Sequence, residues 1–328
     1  MKSVVVNAYG GPEVLEIRNI EKPSPKLNEI LIKIEATSIT RASGMMREGT
    51  PYFGRLFTGI TKPKVKTPGT DLAGIIEAVG KDVTRFKKGD KVIAETGLNC
   101  GAYAEYICLP DDAIIVHQPN NVSAVEATGI VDGACTALAF FTDQVQIKKG
   151  QKVLINGASG SIGTAAIQLA KEFGAEVTAV CSGKNRSLVL ELGADNVYDY
   201  TKNELDKSTV TFDVVFDTVG KFSYAKTKKH MQVKGVFLTP VLTMKTLLTM
   251  LFVSPFSHKK LKFAATGLRK KDIQIRDLKK VKEMLSENKL RPVIDKMYSF
   301  NQIQEAHRYV DTGRKRGNVV IRMQQTKS

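Results

Sequence analysis

Three glycines follow an apolar, β-prone run in the middle of the chain: residues 152–156 lead to Gly157, Gly160 and Gly163. Small and apolar residues then recur at helical intervals over 162–173. A strand, a glycine turn and a helix N-terminus form an anion site, because the small residues admit phosphates and the first N–H groups of the helix point at them. The pattern predicts a site for the pyrophosphate of a dinucleotide. The alternative is a turn whose glycines serve only packing.

A second strand-like run, 176–181, follows this helix, and the residues after it decide which dinucleotide is expected. NAD-preferring proteins carry an Asp or Glu about 20 residues beyond the glycines, where it binds the ribose hydroxyls. This chain has Ser182, Lys184 and Arg186 there, and no carboxylate over 181–186. A cation can pair with a 2′-phosphate, and one charge-assisted hydrogen bond contributes about 1.5–3 kcal/mol. The sequence therefore predicts NADPH. The alternative is a solvated basic turn.

The composition is that of a globular protein, with 328 residues, 42% of them hydrophobic and 25% charged. The apolar segment around 247–256 falls well short of the ~20 residues that span a bilayer, and the N-terminus lacks the pattern of a secretory signal. No membrane partner is expected. The four cysteines have no CxxC spacing, which favours free thiols in a reducing compartment, and the predicted location is cytoplasmic.

The formal net charge of +16 is explained by a lysine-rich surface that also attracts an anionic cofactor. A nucleic-acid partner is not expected, because the chain has neither zinc-finger spacing nor a basic motif interleaved with aromatic residues.

Hydrophobic patterns divide the chain into three parts. Short β-prone runs separated by turns occupy the first hundred residues, and one of them is a predicted strand over 102–107. Ser123 and Glu126 have capping-box spacing, after which helix and strand patterns alternate to residue 238 and predict a parallel, doubly wound sheet. The predicted domains are 1–122 and 123–262, with 263–328 returning to the first of them. The apolar run 241–256 predicts a helix that covers a cleft, forms a dimer contact or lies in the core; core or interface is favoured.

Seven motifs together resemble the medium-chain dehydrogenase/reductase superfamily, and in particular its zinc-independent quinone oxidoreductase branch, which includes zeta-crystallin. They lie at 36–41, 68–74, 83–90, 156–163, 192–195, 217–220 and 316–320. The resemblance covers essentially the whole chain. It implies an α/β fold with a doubly wound Rossmann sheet and a GroES-like, β-rich catalytic domain, an active site in the cleft, and a homodimer.

The resemblance also implies roles for individual residues in binding NADPH. The pyrophosphate and ribose would lie along Asn156, Ser159, Gly160, Ile162 and Gly163, with Ser161 where relatives often have another glycine. Ser182, Lys184 and Tyr200 would hold the 2′-phosphate, beside Arg186. Thr136, Val219 and Gly220 would lie along the nicotinamide, which Gly317 and Asn318 would approach from the catalytic domain.

Three catalytic candidates come from the loop that faces the nicotinamide in this family: Thr40, Arg41 and Tyr52. Each could donate a hydrogen bond to a developing oxyanion. Arg41 has the alternatives of a salt bridge to Asp71 or a cofactor contact, and Tyr52 that of a packing or mobile-loop residue. No general acid is identified from the sequence, and water is an alternative proton source.

No metal site is expected. Zinc-bearing relatives place a cysteine in the loop matched by Thr40 and Arg41, and a histidine at the position of Thr70. A hydroxyl or a guanidinium cannot replace these ligands. A chain without a Lewis acid needs substrates that are already electrophilic.

The expected activity is therefore NADPH-dependent hydride transfer to quinones or α,β-unsaturated carbonyls. The alternatives are a zinc-free reductase of enoyl-thioesters or other activated carbonyls, and an NADPH-binding protein that holds RNA or another partner with little turnover.

Overall fold

The computed structural model describes residues 1–253 and 256–323, without the side chains of Phe53 and Phe57. The strands of this part of the chain are β1 (Lys2–Val5), β2 (Glu16–Asn19), β3 (Glu29–Ile39), β4 (Asp71–Val79), β5 (Lys91–Glu95), β6 (Tyr106–Pro110), β7 (Ile114–His117), β8 (Lys152–Asn156), β9 (Glu176–Cys181), β10 (Asn196–Asp199), β11 (Phe212–Asp217), β12 (Met231–Thr239), β13 (Lys260–Phe263), β14 (Ile294–Ser299) and β15 (Asn318–Arg322). Its α-helices are α1 (Arg41–Glu48), α2 (Arg55–Thr58), α3 (Ala124–Ala139), α4 (Ser161–Glu172), α5 (Arg186–Glu191), α6 (Tyr224–Thr227), α7 (Met244–Leu248), α8 (Lys271–Ser286) and α9 (Ile303–Asp311).

The chain forms two compact units. The first contains residues 1–132, 270–288 and 292–328, and the second contains 133–269 and 289–291. The three-part domain division drawn from the sequence stays a prediction.

The second unit is built on six parallel strands in the order β10-β9-β8-β11-β12-β13. Numbered within the unit this is 3-2-1-4-5-6, the order of a doubly wound sheet whose direction reverses between β8 and β11. The predicted doubly wound parallel sheet is confirmed. Ligands bind such sheets at the carboxyl ends of the strands that flank the reversal, which here are Asn156 and Asp217.

The first unit is β-rich. Seven of its strands form one sheet in the order β14-β15-β3-β4-β5-β7, with β6 paired to β3, and β1 and β2 form a separate hairpin. Alternate residues of β3 and β4, such as Ile32, Ile34 and Leu72, are buried in one apolar core with Phe300 and Ile321. β15 pairs antiparallel with β3, so the end of the chain completes the sheet that its beginning starts.

The predicted strand over 102–107 is wrong at its first half. β6 begins only at Tyr106, because the backbone before it bonds elsewhere: the Tyr103 N–H donates to the Pro68 carbonyl, and the Tyr103 carbonyl accepts from Val4. Ala104 makes one isolated bridge with Ser3. This segment therefore bonds to several parts of the first unit, and only its last residue, Glu105, reaches the main sheet, where its carbonyl accepts from the Ile34 N–H of β3 at 2.9 Å.

The predicted capping box at the start of α3 is confirmed. Ser123 Oγ accepts from the Glu126 N–H at 3.3 Å, and a Glu126 carboxylate oxygen accepts from the Ser123 N–H at 2.8 Å. The helical segment Ala124–Gln144 is long and apolar enough to cross a membrane, but 78% of its most apolar window is buried inside the protein. Core helices of soluble proteins show the same property.

The apolar run 241–256 forms α7, which continues as a π-helical turn over Thr249–Val253; residues 254 and 255 lie outside the described part. Of the two favoured interpretations, core or interface, the first is wrong for the described residues, and the second stays a prediction. None of the described residues 244–253 is buried, because the helix lies on the surface of its unit.

Candidate active site

The glycine turn joins β8 to α4 with the backbone geometry of an anion site. Gly157 has φ +74°, a left-handed conformation that favours glycine. A Cβ on Gly163 would lie 2.2 Å from the Gly157 carbonyl oxygen, so only glycine lets α4 start this close to the turn. No side chain caps α4 at Gly160, and the helix N-terminus is left for a ligand.

Asp217 joins the ends of the two strands that flank the sheet reversal. Its buried carboxylate accepts hydrogen bonds from Asn156 Nδ2 at 2.9 Å and from the N–H groups of Val219, Gly220 and Phe222 at 3.2, 3.1 and 2.8 Å. Burial raises the pKa of Asp217, and these donors oppose the rise. The carboxylate therefore fixes the loop of Val219 and Gly220 relative to Asn156. The sequence analysis gave Asp217 no role, although its place after a buried strand was a usable signal.

A second hydrogen bond ties the glycine turn to the loop after β9. Asn185 is buried, and its Nδ2 donates to Ser159 Oγ at 2.9 Å. Ser182 stands at the start of the short helical turn Gly183–Asn185. The loop with the predicted 2′-phosphate contacts is thus held against the turn with the predicted pyrophosphate contacts.

The predicted 2′-phosphate ligands differ in the hydrogen bonds and ion pairs that their side chains already make within the protein. Lys184 is exposed, and no carboxylate contacts it in the described part of the chain. Arg186 is exposed too, but its Nη1 donates to the Val197 carbonyl at 3.2 Å. Tyr200 begins a helical turn after β10 with an exposed side chain. Lys184 is the cation with the fewest competing contacts.

A carboxylate lies near this loop that the sequence analysis did not anticipate. Asp199, at the end of β10, accepts from the N–H and the hydroxyl of Thr201 at 2.9 and 2.7 Å, and these bonds lower its pKa. A Cβ on Gly183 would lie 2.6 Å from Asp199 Oδ2. The side chain is buried and accepts both hydrogen bonds from Thr201, so it supports the loop after β9.

The remaining predicted cofactor residues have these positions. Thr136 lies on α3, nearly buried, with its Oγ1 3.3 Å from Thr266 Oγ1. In the first unit, Gly317 has φ +75°, and a Cβ there would lie 2.3 Å from the Val293 carbonyl oxygen. Asn318 begins β15, and its Nδ2 donates to the same carbonyl at 3.1 Å.

The three catalytic candidates occupy different environments. Thr40 caps α1: its Oγ1 accepts from the Ser43 N–H at 3.1 Å, and its side chain is buried. Arg41 forms ion pairs with Glu48 at 3.4 Å and Asp311 at 3.2 Å, so the alternative of a salt bridge to Asp71 is wrong. Tyr52 is 74% exposed, and the Arg55 guanidinium lies 4.8 Å from its ring centroid.

The first unit contains a pocket of about 260 Å³ beside α1. Its lining includes Tyr9, Ser43, Met46, Arg47, Thr70 and Cys100, but not Thr40, Arg41 or Tyr52. The sequence analysis missed this pocket, because its wall comes from segments far apart in the chain. Most of the wall is apolar, with a few donors at fixed points, as is usual in sites for small molecules.

Arg47 is a buried cation on the wall of this pocket. Its guanidinium donates to the Gly10 carbonyl at 3.1 Å, to Asp311 at 2.8 Å and to Glu48 at 3.0 Å. It also lies 3.0 Å from His307 Nδ1. Burial, together with the Arg47 charge, lowers the pKa of His307 to about 3. His307 is therefore neutral at physiological pH and accepts at Nδ1, because a guanidinium can only donate.

Asp71 lies behind the pocket wall. It is buried, and Thr70, which lines the pocket, donates from Oγ1 to Asp71 Oδ1 at 3.1 Å. Asp71 Oδ2 has no well-formed hydrogen bond in the described part of the chain, although Ser38 lies close enough to lower the pKa of the carboxyl group slightly. Burial, and secondarily the charge of Asp132, raises the pKa of Asp71 to about 7. This carboxyl group can hold or release a proton near neutral pH.

Comparisons with known proteins decide the family. Residues 26–120 match the model of the alcohol dehydrogenase GroES-like domain, and 192–321 match that of zinc-binding dehydrogenases. The chloroplastic quinone-oxidoreductase QR1 of Triphysaria versicolor is 31% identical over 98% of both chains. The chain belongs to the medium-chain dehydrogenase/reductase superfamily, in its quinone oxidoreductase branch.

Two further relatives fit this membership in the quinone oxidoreductase branch. The chloroplastic NADPH-dependent alkenal/one oxidoreductase of Arabidopsis thaliana is 29% identical over 98% of this chain and 79% of its own length. The solved quinone oxidoreductase of Coxiella burnetii superposes with a TM-score of 0.86 at 27% identity, covering 99% of both chains. The predicted family and the GroES-like and Rossmann fold class are confirmed. Two of these relatives are chloroplastic, so the cytoplasmic prediction gains no support from them.

Zinc, which the name of one matching family model implies, does not fit the residues of this chain. Thr40, Arg41 and Thr70 supply no thiolate, imidazole or carboxylate. Over residues 1–253 and 256–323, no group of three His, Cys, Asp or Glu side chains is placed to hold a metal ion. A dinucleotide does fit the second unit, where the uncapped start of α4 and the close approach at Gly163 leave room for phosphates.

Proposed function

We propose that this protein is an NADPH-dependent oxidoreductase that transfers hydride to quinones or α,β-unsaturated carbonyls without a metal. The observation that carries the proposal is the family's nucleotide site combined with a substrate pocket that has no metal ligand set. Relatives named for quinone and for alkenal/one reduction support the substrate class, and one of them is named as NADPH-dependent.

Each unit contributes residues of its own. In the second unit, Asn156, Ser159, Gly160, Ser161, Ile162 and Gly163 bind the pyrophosphate and ribose, and Ser182, Lys184, Arg186 and Tyr200 bind the adenosine phosphate. Thr136, Val219 and Gly220 orient the nicotinamide, which supplies the hydride when bound. In the first unit, Gly317 and Asn318 provide backbone and amide contacts to the cofactor.

The pocket beside α1 stabilises negative charge on the substrate oxygen. Hydride transfer to a quinone or an enone leaves an anion that conjugation already stabilises, so hydrogen-bond donors are sufficient help. The Ser43 hydroxyl group is the donor on this wall, and Arg47, whose charge is balanced by Glu48 and Asp311, holds the wall in place. Thr40 acts by fixing Ser43, while Arg41 and Tyr52 contact substrate or cofactor from the adjoining loop.

Thr70 and Asp71 provide a route for the proton that completes the reduction. Asp71 is protonated for much of the time at neutral pH, and the Thr70 hydroxyl stands between it and the pocket. When Asp71 is protonated, it donates to Thr70 Oγ1 instead of accepting from it; its proton then passes to Thr70 Oγ1 while Thr70 gives its own proton to the substrate anion, which leaves Asp71 as a carboxylate. This route supplies the general acid that the sequence could not identify.

Two finer points belong to the same proposal. The protein is a homodimer, as the family resemblance implies. Its location is the cytoplasm, which agrees with four cysteines that are all free thiols, three of them buried.

A substrate panel tests the activity. With NADPH, we expect kcat/KM of about 10⁴ M⁻¹s⁻¹ or more for the best quinones or enones, within the usual range of enzymes. Unactivated alcohols with NADP⁺ should give no turnover, because no metal-ligand set in the described part of the chain could hold an ion that lowers the pKa of an alcohol. A clear preference for enoyl-thioesters would move the activity to that class. NADPH binding without turnover on any substrate would contradict the proposal and favour a binding protein.

Removal of metal gives a second test. Treatment with a chelator followed by gel filtration should change quinone or enone turnover by less than about twofold, because the proposed reaction uses no metal ion as a Lewis acid. Elemental analysis should find far less than one zinc per chain. A relative with an intact zinc ligand set, treated in parallel, should lose activity and serves as the control. Stoichiometric zinc in this protein, with activity lost on its removal, would contradict metal-free catalysis.

A further inference from the structure

The pocket beside α1 has exposed residues where it opens to solvent; we call this part the mouth. Its four residues are Lys64, Val65, Leu98 and Asn99. The other lining residues are buried or half-buried, and Ser43 is among the buried ones. A substrate that places its reacting carbonyl beside Ser43 and is longer than the buried part therefore extends into the mouth.

Lys64 carries an unbalanced positive charge at the mouth. It is exposed, and no carboxylate contacts it over residues 1–253 and 256–323. The segment 49–70, to which it belongs, contains four Lys and Arg residues and no Asp or Glu. Arg47, deeper in the pocket, is by contrast paired with two carboxylates. The mouth therefore combines one unpaired cation with the apolar side chains of Val65 and Leu98.

Backbone contacts hold the loop that carries Lys64. The Lys64 N–H donates to the Thr58 carbonyl at 2.8 Å, and Tyr9 Oη donates to the Gly59 carbonyl at 2.6 Å. Gly59 has φ +122°, and a Cβ there would lie 2.0 Å from the Lys62 carbonyl oxygen, so this close turn requires glycine. The backbone of Lys64 is thus fixed at the pocket wall, and its side chain is free to reach a ligand.

A lysine at the mouth of an apolar pocket favours a ligand with an anionic group at one end. Its ammonium is a compact charge with three donors, which suits a carboxylate or a phosphate. Apolar walls strengthen the attraction, because they exclude part of the water that would screen it. The alternative is a lysine that contacts only water, which predicts that charge on the substrate has no effect.

We propose that Lys64 selects quinones or α,β-unsaturated carbonyls that carry a carboxylate or phosphate at the end away from the reacting carbonyl. The proposal rests on the function proposed above and adds a substrate class to it. The electrophile lies in the deeper part of the pocket beside Ser43 and Thr70, and the anionic group pairs with Lys64 in the mouth. This pairing is the same before and during hydride transfer, so it lowers KM and leaves kcat unchanged.

Matched substrates test the effect of charge. One pair is an enone whose chain ends in a carboxylate and the methyl ester of that enone; a second pair has a phosphate and its dimethyl ester. In the parent, kcat/KM should be about tenfold higher for the anion, from one charge-assisted hydrogen bond. Lys64→Ala should remove this preference through KM and leave the esters within about twofold. Lys64→Glu should reverse the preference, and Lys64→Arg should keep most of it.

Lys62→Ala is the matched control. It removes another exposed lysine, two residues away, that does not line the pocket. Its kcat/KM for the anions should change by less than about threefold, because salt screens a charge that makes no direct contact. Titration calorimetry with the saturated keto acid, the product of the carboxylate enone, compares the same variants without turnover. A preference for only one of the two anions would support the proposal and identify the group.

Three results would overturn the proposal. One is equal kcat/KM of the parent for the anion and the ester, with equal binding of the keto acid and its ester. Another is an equal fall for the anions in Lys64→Ala and Lys62→Ala, which would reflect the general charge of the surface. The third is a raised KM for NADPH in Lys64→Ala with the substrate preference unchanged, which would make Lys64 a cofactor contact.

The two proposals fail in different ways. If no quinone or enone reacts but the keto acid still binds through Lys64, the proposed activity is contradicted and the anion site is supported. If the neutral quinones and enones react and Lys64→Ala changes no preference, the activity stands and the anion site is contradicted.

Discussion

Replacing Lys184 with alanine is expected to lower kcat/KM for NADPH between about tenfold and a hundredfold and to leave that for NADH within about twofold. Lys184 is an exposed cation that no described carboxylate contacts, in a loop held against the glycine turn by the Asn185–Ser159 hydrogen bond. Loss of one charge-assisted hydrogen bond to a phosphate removes about 1.5–3 kcal/mol, and 1.4 kcal/mol is tenfold. NADH has no phosphate at this position, so its kcat/KM should not change.

Steady-state kinetics with both nucleotides over a range of salt concentrations measures this effect. Salt should weaken the parent's use of NADPH more than its use of NADH, because the ion pair is exposed. Arg186→Ala should have a smaller effect than Lys184→Ala, since Arg186 already donates to the Val197 carbonyl. Lys234→Ala, an exposed lysine elsewhere in the second unit, is the control. An equal fall in kcat/KM with both nucleotides would mean that Lys184 contacts a part of the cofactor that NADPH and NADH have in common.

Replacing Asp71 with asparagine is expected to change how stability depends on pH. The pKa of Asp71 is raised from 3.8 to about 7, so its stabilising effect is complete below pH 3.8 and is lost as the pH rises through 7. The pKa of His307 is lowered from 6.5 to about 3, so its effect is complete above pH 6.5 and is lost as the pH falls towards 3. Between pH 3.8 and 6.5, Asp71 makes the free energy of unfolding fall with rising pH and His307 makes it rise. The two slopes have opposite sign and cancel.

Asp71→Asn removes the contribution of Asp71 to the pH dependence of stability and leaves that of His307 uncompensated. Relative to the parent, its free energy of unfolding should fall by about 2 kcal/mol from pH 6.5 to pH 5, at about 1.4 kcal/mol per unit. His307→Gln should show the opposite trend, and the double variant should be parallel to the parent. Urea denaturation at several pH values provides the free energies. Parallel curves for Asp71→Asn and the parent would show that Asp71 is ionised at the lower pH.

The same variant reports on the proton route. If Asp71 supplies the proton, kcat of the parent falls above pH 7, and Asp71→Asn turns over more slowly without that fall. Unchanged kcat and an unchanged pH profile would assign protonation to water.

The nucleotide half of the site could be predicted from the sequence because its parts are local. The strand, glycine turn and helix over 152–173 lie in one continuous segment, so spacing alone placed Gly157, Gly160 and Gly163 at the start of α4. The residues after β9 could be located from the sequence in the same way, because Ser182 and Lys184 follow the strand closely. Local patterns therefore placed these residues correctly in the fold, while their contacts with a nucleotide stay a proposal.

The substrate pocket could not be predicted, because its chemistry depends on contacts between distant segments. Arg47 meets His307 and Asp311 across more than 250 residues, and Asp71 acquires its shifted pKa from burial and from Asp132. Neither the burial nor the partners are visible in the surrounding sequence. The direction of the apolar run at 244–253 was hidden for the same reason: hydropathy reports composition but not which side meets the core.

The position of β15 has a consequence for how the chain acquires its fold during synthesis. β15 lies within the large sheet of the first unit, bonded to β3 on one side and β14 on the other, while the strands of the second unit are complete by Phe263. β3 therefore waits for β15 to leave the ribosome, and the segment between them, which carries the strands of the second unit, is ready to fold earlier. Nascent chains of this protein would need protection at their amino-terminal half, the reverse of the usual order.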